Sequence, residues 1–124
     1  MTLKRKSIQF RPVVAILEER FLLSTPGTWA GVAPLPVARV YLGAATLDGK
    51  VYAVGGDTGG AGDPRTAEVD VYNPKTNSWS QVAPLPFARM ALAVVADHGL
   101  LYAIGGLDSN GGVRSQKAVI LIHP

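Results

Sequence analysis

The sequence has no cysteine and few charged or aromatic residues. Cysteine is absent from all 124 residues, which excludes disulfides and thiolate metal sites. Charged residues make up 17% of the chain and aromatic residues 7%. The net charge is only +3, and no basic stripe interleaved with aromatic residues is present. The composition therefore argues against nucleic acid as a partner.

The N-terminal segment lacks an apolar run long enough to span a membrane. The run Val13–Leu17 is interrupted by the charged residues 18–20 before apolar residues resume at Phe21. A spanning helix needs about 20 apolar residues, and an ordinary secretory signal needs a run of about 7–15. The pattern instead predicts a short helix from about Pro12 to Leu23, with Pro12 in the first turn.

What the chain does have is abundant glycine, proline and apolar residues. It contains 14 glycines and 9 prolines, and 48% of its residues are hydrophobic. Frequent turn residues between short apolar segments favour an all-β fold. A length of 124 residues favours one folded domain.

One stretch of the sequence occurs twice. Residues 29–74 recur as residues 79–124 at a constant spacing of 50, and 17 of the 46 aligned positions are identical. The repeated landmarks are Trp29/Trp79, Arg39/Arg89, Tyr52/Tyr102, Gly55/Gly105 and Gly56/Gly106. The repeat predicts two copies of one supersecondary unit.

Each copy reads as a series of short strands. In the first copy, Asp48-Gly49 between apolar segments predicts a hairpin, because such turns need positive φ. His98-Gly99 takes the same place in the second copy. The prolines of residues 83–86 cannot lie inside a sheet, so they predict a connection between sheets. The predicted strands are 42–47, 50–54, 68–72, 78–82, 92–96, 100–104 and 117–122.

These landmarks resemble the kelch repeat of β-propellers. The resemblance covers residues 28–124 and rests on Tyr52–Gly56, Tyr102–Gly106, Val71–Pro74, Trp79 and Arg39/Arg89. It implies blades of four antiparallel strands. The glycines would allow close backbone packing where blades converge, and Tyr52, Tyr72 and the tryptophans would fill space between strands. The second copy departs from the pattern, since Leu107, Ile122 and His123 replace Asp57, Tyr72 and Asn73.

The strands are out of phase with the repeat. Residues 28–83 would supply a last strand around Trp29 and one complete blade, and residues 84–124 the first three strands of another. Propellers typically have four to eight blades, so two sheets cannot close a ring. Three interpretations follow: a fragment of a longer product, an open two-sheet unit, or head-to-tail assembly. In the last, the Trp29 strand of one chain would complete the 117–122 sheet of another.

No motif for catalysis, a metal or a cofactor is recognisable. His98 and His123 have no Glu or Cys at ligand spacing, and the Gly-rich loop 57–63 lacks the alternating oxygen ligands of a calcium loop. That loop also has no Lys-Ser/Thr pair of a phosphate-binding loop. No serine lies in a nucleophile elbow. The sequence therefore predicts no catalytic residue, no metal site and no cofactor.

The resemblance places three connecting segments, 57–66, 84–90 and 107–116, on one face of a propeller. Loops on a rigid scaffold are common recognition sites, although loops are also polar simply because they are solvated. Arg39 and Arg89 recur in register, which predicts a structural role, such as hydrogen bonds to carbonyls of the Pro-rich connection. The candidate binding residues are Tyr41, Asp57, Asp63, Arg65, Asp108, Asn110 and Arg114.

The predicted function is a non-enzymatic binding module for protein or carbohydrate. One alternative is a fragment of a sugar-acting kelch enzyme, similar to mutarotases, and another is a truncated remnant without function.

Residues 4–24 resemble a second known motif. Leu17–Ser24, preceded by basic residues, is similar to the LEPR-XLL motif of planctomycete proteins, with Glu19 where that motif has proline. The resemblance implies that residues 1–27 direct export or surface attachment. The alternatives are a short amphipathic helix that caps the fold or stays disordered, and a cytoplasmic location of the protein.

Overall fold

A computed structural model of the chain describes residues 27–108 and 119–123. The chain divides into two compact units, Met1–Gly31 and Val32–Pro124. In the first unit only residues 27–31 are described, so the helix predicted from Pro12 to Leu23 lies outside the described residues. The architecture below is that of the second unit.

The second unit consists of short antiparallel strands. The four-stranded first sheet has the order β1-β2-β3-β4, the three-stranded second sheet has the order β6-β7-β9, and β5 pairs with β8. The all-β prediction is confirmed, since no helix occurs within residues 27–108 and 119–123. Accordingly, no membrane-crossing helix is found in these ranges. The strands are β1 Gly43–Leu47, β2 Lys50–Val54, β3 Val69–Asn73, β4 Ser78–Val82, β5 Arg89–Met90, β6 Ala93–Asp97, β7 Leu100–Ile104, β8 Leu107–Asp108 and β9 Val119–Ile122.

Two tight turns set the register of the sheets. Asp48 and Gly49 have φ values of 50° and 72°, and His98 and Gly99 have 48° and 78°. Two central residues with positive φ define the type I′ turn, whose twist matches that of paired strands. Leu47 accordingly pairs with Lys50 across the first turn. Both predicted hairpins are confirmed.

The prediction of a strand around Trp29 was wrong. Residues 28–30 have no strand conformation, and the Trp29 side chain is 99% exposed. Trp79, fifty residues later, is in a strand because it pairs with Tyr72 of β3. The local sequence around Trp29 is similar, but a strand forms only with a hydrogen-bonded neighbour. In the described part of the chain the second sheet therefore has three strands instead of four.

Two short strands were not predicted. Arg89 pairs with Asp108 and Met90 with Leu107. The corresponding position of the first copy has an isolated bridge between Val40 and Asp57. Strands of two residues carry no alternation of polar and apolar side chains, so periodicity alone could not reveal them.

The hydrophobic core lies between the two sheets. Their facing surfaces, which we call inner faces, form one buried cluster. Val54 and Val69 on the first sheet and Leu101 on the second are fully buried, each worth on the order of 2 kcal/mol. Burial and the nearby charge of Asp48 raise the pKa of Tyr52 above its usual value. The inner faces comprise Gly43, Ala45, Tyr52, Val54, Val69 and Val71 on the first sheet, and Val94, Ala96, Leu101, Ala103, Ile120 and Ile122 on the second.

Glycines allow the backbones of the two sheets to approach each other closely. A Cβ atom on Gly43 would collide with Cγ2 of Val94, and one on Gly55 would lie 2.5 Å from the carbonyl oxygen of Arg89. That oxygen accepts a 2.8 Å hydrogen bond from the amide of Gly56. The sheets are thus joined by backbone hydrogen bonds as well as by apolar contact.

We expect Gly43→Ala to lower the free energy of unfolding by about 1–3 kcal/mol, because the added methyl group overpacks the sheet contact. In a Val94→Ala background, where Cγ2 is absent, the same substitution should cost less than about 1 kcal/mol. Urea denaturation followed by Trp79 fluorescence measures both values. Equal costs in the two backgrounds would show that Gly43 does not limit the approach of the sheets.

Candidate functional site

A buried arginine connects the segment before β1 to the strands of the first sheet. The Arg39 side chain is completely buried and its Nη2 donates to Oδ2 of Asp70 at 2.6 Å. Its Nη1 donates to Oε2 of Glu68 at 3.2 Å, and Nη2 also donates to the carbonyl of Ala53 at 3.3 Å. Arg39 therefore fixes the start of the first blade against β2 and β3.

Arg89 occupies the same register in the second copy but has different surroundings. It is 1% exposed and its Nη1 donates to the carbonyl of Gly105 at 2.7 Å. Ile120 stands where Asp70 stands in the first copy. These hydrogen bonds of the two arginines go to strand and loop groups, whereas the sequence predicted carbonyls of the Pro-rich connection as acceptors. The carboxylate of Asp70 interrupts the apolar positions of β3, which is a signal that sequence reasoning could have used.

The Gly-rich loop after β2 is folded by its own side chains. The Asp57 carboxylate accepts a 2.7 Å hydrogen bond from the amide of Gly59, and the Asp63 carboxylate accepts one from the amide of Arg65 at 3.2 Å. The amide of Thr58 donates to the carbonyl of Pro64 at 2.9 Å, which closes the loop. Such aspartate turns give a glycine-rich segment a defined shape.

Arg65 joins this loop to the second copy. Its Nη1 donates to the carbonyl of Asp108 in β8, and its Nε lies 3.7 Å from the Asp63 carboxylate. Asp57 forms β-bridges with both Val40 and Arg65. The structure thus brings together four of the residues singled out in the sequence: Asp57, Asp63, Arg65 and Asp108.

Tyr41 lies next to this group, one residue after the Val40–Asp57 bridge. Its side chain is 65% exposed, and its backbone has φ of 55°. Its carbonyl accepts a 2.7 Å hydrogen bond from the amide of Ala91, which holds it against the second copy. We call Tyr41, residues 57–66 and Asp108 the loop edge. Asn110 and Arg114, the other two candidates, lie outside the described residues.

One shallow pocket lies beside the loop edge, and a second lies along β3 and β4 of the first sheet. The first, of about 180 Å³, is lined by Ala38, Arg39, Val40, Asp57, Thr58 and Gly59. Thr58 and Gly59 were not among the predicted binding residues. The second, of about 280 Å³, is lined by Pro36, Val37, Glu68, Asp70, Trp79, Ser80 and Gln81.

The aromatic pair Tyr72 and Trp79 stabilises the end of the first sheet opposite the loop edge. Their ring centroids are 5.2 Å apart at an angle of 43°. The Trp79 Nε1 donates to the carbonyl of Ala33, and the Tyr72 hydroxyl donates to Asn77 Oδ1, both at 2.8 Å. Because these polar groups have partners within the unit, both residues tie residue 33 and the β3–β4 turn to the sheet.

The described residues contain no group of three or more His, Cys, Asp and Glu side chains that could hold a metal ion. His98 pairs with the adjacent Asp97, at 2.8 Å between Nδ1 and Oδ2, and both side chains are exposed. His123 is exposed after β9.

We expect Arg39→Met to destabilise the fold by about 3–5 kcal/mol, because Asp70 would remain buried without its cation. Asp70→Leu should cost less than Arg39→Met, because Arg39 keeps its ion pair with Glu68. The double variant Arg39→Met/Asp70→Leu should lose less than the sum, since neither buried charge remains. Urea unfolding of the three variants measures this coupling; strictly additive costs would contradict it.

The comparisons with known proteins agree with this geometry. Residues 38–86 match the Kelch motif family. Among solved structures, the kelch-type propeller YjhT superimposes with a TM-score of 0.62 and 27% sequence identity over 70% of this chain. The chain spans 27% of the length of that structure, and no curated protein matches it. Residues 38–86 therefore carry a Kelch motif, and the fold is that of kelch-type propeller blades.

Proposed function

We propose that the protein is a non-enzymatic binding module whose loop edge takes a protein or carbohydrate ligand. The observation that carries the proposal is the Arg65 hydrogen bond to the Asp108 carbonyl, because it makes one surface from loops of both copies. Loops held in this way on a rigid scaffold are frequent recognition sites. The Kelch motif at residues 38–86 supports a binding role.

The chemistry of the loop edge suits a ligand rich in hydrogen-bond donors. The Asp57 and Asp63 carboxylates each accept one backbone amide, and an ionised carboxylate has further acceptor positions. The exposed ring of Tyr41 offers an amphipathic surface beside them. Sugar hydroxyls and peptide amides both match this arrangement.

The size of the neighbouring pocket favours surface recognition. Pockets that enclose a small molecule usually measure about 300–1,000 Å³, whereas the pocket beside Asp57 measures about 180 Å³. It accommodates a side chain or a single sugar ring instead of a deeply buried substrate. The small volume of this pocket is our reason for preferring a binding role to a catalytic one.

We expect Asp63→Ala and Arg65→Ala to weaken ligand binding about tenfold, the loss of one hydrogen bond to a charged group. The probes are a panel of immobilised glycans and a peptide library, and the measurement is the dissociation constant of any probe that binds. Asp48→Asn and Lys75→Ala, in turns at the opposite ends of the strands, are matched controls that should leave binding unchanged. Circular dichroism verifies that each variant is folded.

Two results would contradict this proposal. Equal weakening by the loop-edge and control variants would show that the ligand binds elsewhere. Accelerated exchange between the anomers of a bound sugar, observed by NMR, would instead favour the sugar-acting enzyme.

We also propose that the protein is exported or attached to the cell surface. Support comes from the similarity of residues 4–24 to the LEPR-XLL motif, a segment outside the described residues. In a planctomycete host, the full chain with a C-terminal reporter should reach the cell envelope, and deletion of residues 4–24 should retain it in the cytoplasm. A substitution outside the segment, Lys75→Ala, is the control. Equal distribution of the full and deleted chains would contradict the proposal.

A further inference from the structure

The second sheet has an apolar face that is exposed to solvent. Val95, Ile104, Val119 and Leu121 are 47%, 42%, 63% and 42% exposed. Strand pairing places them on one surface, because Val95 aligns with Tyr102 and Leu121, and Ile104 aligns with Val119. We call this surface the tail face. It comprises Ala93, Val95, Tyr102, Ile104, Val119 and Leu121.

The first sheet shows what covers a face of this kind. Fifty residues earlier, the same register positions form the inner face of the first sheet, where Val54 and Val69 have no solvent exposure. That inner face is covered by the inner face of the second sheet. A sheet with the strand pattern of this repeat therefore fits against the tail face.

The chain itself carries a second surface with the required pattern. Each inner-face residue of the second sheet has a counterpart fifty residues earlier in the first sheet. These counterparts lie on the side of the first sheet that is opposite its inner face. We call this surface the head face. Ala44 and Thr46 on it are exposed and Val51 is half-buried, whereas Ala53, Asp70 and Tyr72 are already buried within the unit. It comprises Ala44, Thr46, Val51, Ala53, Asp70 and Tyr72.

Side-chain sizes on the tail face and the open part of the head face are complementary at the closest contact. Inside the unit, Gly43 must lack a side chain because Cγ2 of Val94 occupies the space. The corresponding pair on the exposed faces is Ala93 and Ala44. Ala93 has one methyl group more than Gly43, and Ala44 lacks the γ carbons of Val94, so the added methyl group has room.

Elsewhere the compensation is partial, because Thr46 and Tyr72 of the head face are larger than Ala96 and Ile122 of the second sheet. At three further positions the tail face has a larger side chain than the inner face of the first sheet. The head face has a smaller side chain than the inner face of the second sheet where Val51 stands in place of Leu101. The head face also carries Asp70 where the second sheet has Ile120, but the Arg39 guanidinium already neutralises that carboxylate. The larger side chains of the tail face are Val95 for Ala45, Ile104 for Val54 and Leu121 for Val71.

We propose that the tail face of one copy of the chain docks on the head face of a second copy, repeating the contact between the two sheets. Within the unit, the amide of Gly56 donates to the carbonyl of Arg89. Gly106 and Arg39 hold the same register positions, so they supply the corresponding hydrogen bond between copies. A head-to-tail contact forms a ring if its rotation closes. Since propellers have typically four to eight blades, a ring of two-sheet chains contains about two to four copies.

The test is the mass of the full chain in solution, measured by light scattering over a range of concentrations. The wild type should form a closed species of about two to four copies. Val95→Asp on the tail face and Ala44→Asp on the head face should each give monomers. Phe87→Asp is the matched control, because Phe87 is an exposed apolar residue that belongs to neither face. Circular dichroism confirms that the variants are folded.

Mixing the two monomeric variants is the decisive experiment, because it tests whether the tail face of one chain docks on the head face of another. The Val95→Asp chain retains its head face and the Ala44→Asp chain retains its tail face, so the mixture should form one-to-one dimers. A monomeric wild type would overturn the proposal, as would an unchanged mass for Val95→Asp, dissociation by Phe87→Asp, or a mixture without dimers. A chain that associates only after removal of residues 1–26 would show that this segment covers the tail face, which also overturns it.

Discussion

The whole structure depends on the close approach of two sheet backbones. Gly43 and Gly55 leave no side chain at the contact, and the amide of Gly56 reaches the carbonyl of Arg89 at 2.8 Å. At this separation the inner faces form a single buried cluster. Neither sheet could bury its apolar side chains alone, which is the general property of repeat architectures.

The position of the loop edge follows from the same contact. Arg89 pairs with Asp108, and the Asp108 carbonyl accepts the Arg65 hydrogen bond. Arg65 belongs to the loop of the first sheet, so a change in the sheet contact would also separate the two parts of the candidate binding site. Arg39 also supports the loop edge, because its hydrogen bonds hold the start of the first blade on β2 and β3.

Local patterns allowed much of the fold to be predicted. The strands Lys50–Val54, Ser78–Val82 and Leu100–Ile104 have the predicted bounds. The first and third begin directly after the Asp-Gly and His-Gly turns, and the second begins after the turn of residues 73–77. The strand around Trp29 was wrong and the strand Arg89–Met90 was missed, because both depend on a distant pairing partner. Of the candidate site, the loop residues were predicted, whereas the link from Arg65 to Asp108 was not, since residues far apart in sequence must first be brought together.

The sequence by itself determined the repeat, its turns and its lack of cysteine chemistry. Backbone preference at residues such as Gly49 and Gly99 acts locally, so these features needed no knowledge of packing. Only the tertiary structure decided which side chains are buried. Val54 and Ile104 occupy the same position of the repeat, yet Val54 has no exposure and Ile104 is 42% exposed. The difference arises because burial depends on whether another sheet lies against the residue.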